Sequence, residues 1–202
     1  MKNKIELPPF YNYKEEGTDS GYESIQDFIL SWTLRCSVEN YSKVNNTLQS
    51  YSKGVLLALI FGDNDSDWNY QLAASNSEII VKSVKTKRQW NLIDLLAEIN
   101  LEINGENKSY ILSIENKWYS SIREGQLEKS IKFIRDEYSY FNNKIINLIV
   151  FSDYEKLNLY TKEFCKKAGY KVVVIEDLYE LAKMRKDKLT NNYLFDEYWF
   201  RF

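Results

Sequence analysis

The chain contains no histidine in 202 residues, and that absence removes much chemistry. Without imidazole there is no Ser-His or Cys-His nucleophile, no histidine-dependent nuclease and little prospect of a zinc site. The two cysteines, Cys36 and Cys165, lie far apart and match no metal or redox spacing. They read as packed thiols in a reducing compartment. Any catalysis would rest on carboxylates and lysines.

Other deficits narrow the class further. Only 2 prolines and 7 glycines accompany a surplus of Asn, Ile, Lys and Tyr, a bias expected of an AT-rich genome. No apolar run is long enough to span a bilayer, and the longest, such as Val55 to Phe61, are short. The opening "MKNKIELPPFYNYKEEG" has no apolar core or small-residue cleavage site of a secretion signal. The expected location is therefore cytoplasmic, with no membrane partner. A net charge of -2 gives no global attraction to nucleic acid, so such a partner would require a local basic stripe.

What is present is the balance of a globular protein, 44% hydrophobic and 28% charged, at a length suited to one domain over 1–202. Residues 1–19 hold both prolines and read as an N-terminal arm. From Glu23, the apolar positions Ile25, Phe28, Ile29, Trp32 and Cys36 keep helical spacing, and a second helix is expected over about 41–61. The period then changes. Strands are expected at 77–85, 92–103 and 109–117, the last two joined by a hairpin at Asn104-Gly105. A helix (122–141), strand (144–152), helix (155–168), strand (170–177) and helix to about 187 follow. This order predicts an α/β protein whose mixed sheet is flanked by helices. The aromatic tail, 189–202, is expected to dock on the core, with a homodimer contact as the alternative.

The tripeptide Glu-Asn-Lys occurs twice. At 106–108 it sits on the hairpin tip, where charge is expected on solvation grounds. At 115–117 it ends an apolar strand, and period-two geometry turns Glu115 and Lys117 to one side, roughly 7 Å apart at Cα. Asp94 stands on the antiparallel neighbour, placed to join them. Two adjacent carboxylates repel and raise one another's pKa unless a cation lies between them, and an oxygen-rich site without histidine selects a hard ion such as Mg²⁺. Such an ion neutralises a phosphate and activates water while Lys117 holds that water or meets developing charge, which suits phosphodiester hydrolysis.

Asp94, then Ile114-Glu115-Asn116-Lys117, then Gln126-Leu127 opening a helix resembles the PD-(D/E)xK nuclease superfamily, in particular a branch with an "IENK" strand followed by a "QL" helix. The likeness covers about residues 20–152 and implies a restriction-endonuclease-like αβββαβ core. It also implies a metal-dependent deoxyribonuclease using Mg²⁺, with Mn²⁺ able to substitute, that cuts DNA by attack of a metal-activated water. A bacterial setting in defence against foreign DNA goes with that branch. Asp94 and Glu115 would be the metal ligands and Lys117 the catalytic lysine. Gln126 would orient groups at the site, and Glu23 would be the extra acid in the first helix, with Asp27 one turn on as an equally placed substitute. The chain departs from the pattern at Ile93, where the family's name has proline, and at Ser130, where the branch often has tyrosine.

Competing readings attach to each residue. Glu115 and Lys117 would otherwise be an exposed ion pair, Asp94 part of a solvated face with Glu98 and Glu102, Gln126 a surface position and Glu23 a first-turn charge favoured by the helix dipole. The cluster Lys82, Lys85, Lys87 and Arg88 is expected around a turn entering the Asp94 strand, where Lys85, Lys87 and Arg88 could grip phosphates beside Trp90. The alternative to a nuclease is a protein that keeps the fold, has lost the chemistry and acts as a binding or regulatory module.

Overall fold

The computed structural model describes residues 7–8, 25–62, 78–117, 122, 125–139, 144–151 and 157–200. Helix α1, Ile25–Cys36, is buried along most of its length, including its polar Asp27, Ser31 and Thr33. Its Trp32 indole donates to the carbonyl of Pro8 at 2.7 Å, so part of the N-terminal arm lies against it. The helix predicted over 41–61 is divided. A 3₁₀ turn occupies Glu39–Lys43, and α2 runs Asn46–Phe61. The break is capping chemistry: extended Asn45 accepts the Leu48 N–H on its side chain and starts a new helix.

The sheet comprises β1 (Ile79–Trp90), β2 (Ile93–Ile103), β3 (Glu106–Lys117), β4 (Lys144–Phe151) and β5 (Lys171–Val174), in the order of the chain. The first three strands are antiparallel and the last three parallel. The β2–β3 hairpin turns on Asn104 and Gly105 with φ of 51° and 83°, the left-handed pair that a two-residue turn demands and Asn-Gly supplies.

Two strand expectations need correction. β1 does not stop at 85 but continues to Trp90, so the basic cluster lies within a paired strand. Conversely, β5 ends at Val174, opposite the last residue of β4, and helix α5 (Ile175–Leu181) follows at once. Glu176 and Asp177 favour a first helical turn there.

Helices α3 (Gln126–Glu137) and α4 (Leu159–Lys167) complete the alternation, and α6 spans Tyr193–Trp199. The main core lies between the sheet and α1, α2, α5 and α6, joining Leu30, Leu56, Ala97, Leu112, Val150 and Trp199. On the other face α3 and α4 cover two smaller clusters, one of Leu127, Ile149, Cys165 and Val172, the other of Leu96, Ile111, Ile134 and Tyr138. The sheet is thus covered on both faces, giving the α/β class and helix-flanked mixed sheet read from the sequence. Both cysteines are buried and unpaired. The aromatic tail docks as expected: Phe195 and Trp199 are fully buried. Among the described residues no helix is long and apolar enough to cross a membrane.

Candidate active site

Chain direction concentrates chemistry at one end of the sheet. β3 runs outward beside β4 while β2 starts at that end and runs back. The register that pairs Leu95 with Ile114 faces Asp94 with Glu115 at the next step. Both carboxyls therefore leave neighbouring strands on the face that α3 covers.

Glu115 is 4% exposed and Lys117 6%. The Lys117 ammonium donates to Glu115 Oε1 at 2.5 Å. Gln126, the first residue of α3, donates its amide to the same oxygen at 2.5 Å. Asp94 Oδ2 accepts the backbone N–H of Asn116 at 2.9 Å. Burial, then the charge of Asp94, pushes Glu115 up to about 7, against the opposing pull of Lys117 and Gln126. Asp94 is also raised by burial, opposed chiefly by the Asn116 N–H and the Lys117 charge.

The other side of β3 has its own polar assembly. Asn116, between Glu115 and Lys117, points by strand alternation toward α1. Its amide donates to Asp27 Oδ1 and its carbonyl accepts from Gln26 at 2.8 Å. Gln89 near the end of β1 donates to Asp27 Oδ2 at 3.0 Å and lies 3.4 Å from Asp94 Oδ1. Asp27 is 3% exposed, and burial first, then the Asp94 charge, lifts it to about 7.

The structure therefore brings Asp94, Glu115, Lys117 and Gln126 together. Glu23 lies outside the described residues, and Asp27 is the α1 acid seen within reach of Asp94. The basic trio, all on β1, is divided between its two faces. Lys85 is exposed, Lys87 pairs with Glu98 at 3.3 Å and sits 4.6 Å above the Trp90 ring, and Arg88 is stacked 3.4 Å over Phe28. Trp90 itself packs on Phe133 and Tyr138. Ser130 turns its hydroxyl inward, 3.1 Å from the carbonyls of Leu92 and Gln126, tying α3 to the β1–β2 turn. Gln89, Gln26 and Asn116 are neutral, and the sequence assigns none of them a role in the site. The only signal for Asn116 was its alternate position inside Glu-Asn-Lys.

Donor chemistry decides which ion could sit here. Asp94 and Glu115 offer only oxygens, the hallmark of a hard-cation site. Among the described residues no group of three or more His, Cys, Asp or Glu side chains forms a ready ligand set. Two carboxylates alone leave most positions around a divalent ion to be filled by other oxygen ligands.

The PD-(D/E)XK nuclease superfamily model matches residues 14–196, extending beyond β4 through α4 and α5 into the first turn of α6. No curated protein and no solved structure matches the chain.

Proposed function

The chain belongs to the PD-(D/E)XK nuclease superfamily, and from that premise we propose a nuclease that hydrolyses DNA phosphodiester bonds with Mg²⁺ at Asp94 and Glu115. The observation that carries the reading is one buried strand end where Lys117 and Gln126 both donate to Glu115, with Asp94 on the neighbouring strand. Two acids kept above their ordinary pKa by burial, and Glu115 also by the Asp94 charge, favour a cation over a second negative charge. When bound, the ion supplies charge neutralisation at the phosphate and acidifies water; Mn²⁺ would serve in its place.

The chain's own residues do the rest. Lys117 and Gln126 fix the rotation of Glu115 by donating to one oxygen, Oε1. In this proposal the Lys117 ammonium holds the attacking water and meets charge developing on the phosphate. The Asn116 N–H holds Asp94 through Oδ2. On β1, exposed Lys85 and neighbouring Lys87 are the cations proposed to meet DNA phosphates, whereas Arg88 bears on α1 through Phe28. A role against foreign DNA is the setting proposed by resemblance.

The test is cleavage of circular and linear, single- and double-stranded DNA with Mg²⁺ or Mn²⁺, against EDTA, Glu115→Ala and Lys117→Ala. Metal-dependent cutting lost in both variants supports the proposal. Absence of both cutting and cation binding in calorimetry would leave a nuclease fold that serves as a binding or regulatory module.

A further inference from the structure

Gln89 occupies an unusual place. Its neighbours Arg88 and Trp90 pair with Leu95 and Ile93, which leaves Gln89 opposite Asp94. Its φ is 47°, in the left-handed region that a glutamine seldom enters and that costs energy to maintain. The conformation accompanies a definite side-chain placement. The Nε2 group donates to Asp27 Oδ2 at 3.0 Å and stands 3.4 Å from Asp94 Oδ1.

The second link between those acids is Asn116. Its side-chain amide donates to Asp27 Oδ1, and its backbone N–H donates to Asp94 Oδ2 at 2.9 Å. Asp27 and Asp94 are therefore joined twice, by Gln89 through one pair of oxygens and by Asn116 through the other. The four residues close a ring from α1, β1, β2 and β3. Gln26 braces it from α1 by donating to the Asn116 carbonyl at 2.8 Å. A carboxylate held at both oxygens cannot rotate freely, and groups that orient ligands typically govern metal affinity about as strongly as tenfold or more.

We propose that Gln89 is a positioning residue: with Asn116 it locks Asp94 to the α1 acid Asp27 and sets the orientation in which Asp94 meets a divalent cation. The inference rests on the nuclease reading for its functional consequence, and on the hydrogen-bond ring alone for its structural part. In this reading Gln89 acts through Asp94 rather than on the substrate or the ion. The left-handed backbone is the cost of bringing a neutral donor between two buried acids where lysine would add a competing charge.

Two variants test it. Gln89→Leu keeps bulk but removes the amide. Gln89→Asn tolerates the left-handed backbone but shortens the reach by one methylene. Folding is checked by circular dichroism, Mn²⁺ binding by calorimetry, cleavage by separate kcat and KM, and Asp94 by its carboxyl ¹³C resonance in metal-free protein. The expected result is a moved Asp94 resonance in both variants, Mn²⁺ bound about tenfold more weakly and a lower kcat at unchanged KM. An Asp94 resonance unmoved in a folded variant overturns the proposal, as does wild-type Mn²⁺ affinity. Should the wild-type protein bind no Mn²⁺, the nuclease reading fails, and the Asp94 resonance alone decides whether Gln89 positions it. If Gln89→Leu does not fold, Gln89→Asn carries the same decision.

Discussion

Lys117 and Glu115, two residues apart on β3, meet at 2.5 Å with side chains only 8% and 5% exposed. Removing one member of such a pair strands the other charge. Lys117→Met should therefore lower DNA cleavage at least about a hundredfold, the scale of losing one positioned donor at a reacting centre. It should also destabilise the metal-free protein more at pH 8, where Glu115 is ionised, than at pH 6, where much of it is protonated. Cleavage rates and thermal melts at both pH values check the two halves.

Asp27 and Glu115 are each lifted to about 7 from ordinary values of 3.8 and 4.5. A raised carboxyl holds its proton longer folded than unfolded, so its stabilising contribution is complete below the unfolded pKa and disappears as pH rises through the folded one. Metal-free protein should lose stability between about pH 4 and 7 and level off above, by on the order of 3 kcal/mol for Glu115 alone. Glu115→Gln and Asp27→Asn should each flatten that slope. Thermal or denaturant unfolding across the pH series reads it directly.

The same protons compete with a cation. Mn²⁺ affinity should rise with pH up to about 7 and then plateau, with proton release on binding below that point. Calorimetry in buffers of different ionisation enthalpy measures both. A flat profile would place the ion away from Glu115.

Gln126 contributes one of the donors that keep Glu115 from rising further. Gln126→Ala should shift the acid limb of the cleavage profile to higher pH and reduce activity about tenfold. The pH–rate profile separates this from simple unfolding, which would lower the whole curve without moving it.

Much of the fold was legible because the relevant signals are local. Asn104-Gly105 announces its hairpin, and alternation along 92–103 and 109–117 fixes which residues share a face with Asp94 and Glu115. The full length of β1 is hidden in the sequence because a run of lysines and arginine looks solvated. Yet alternation sends Val84, Thr86 and Arg88 inward, and Arg88 is accommodated on the Phe28 ring rather than in water. The end of β5 is hidden for another reason: Ile175, the first residue of α5, is as strand-like as Val174. Gln89 and Asn116 were missed because neutral amides acquire meaning only when tertiary structure brings acids from separate elements around them.

The aromatic tail provides a test that separates stability from chemistry. Trp199 is fully buried, packs against Phe195 at 6.1 Å and donates its indole N–H to the Thr33 hydroxyl at 3.0 Å. Phe195 in turn meets Trp32 edge-on at 6.3 Å, so the tail clamps α1, the helix that carries Asp27. Trp199→Ala removes a large core side chain and leaves Thr33 without that donor, a loss of about 3–5 kcal/mol. For a chain of this size the melting temperature should fall by about 10 °C. Mn²⁺ affinity at low temperature, where the variant remains folded, should stay at the wild-type value, because the partners named for Trp199, Phe195 and Thr33, are not members of the group around Asp94 and Glu115. A parallel loss of affinity would instead mean that the tail sets the position of α1, and through Asp27 the geometry of the site.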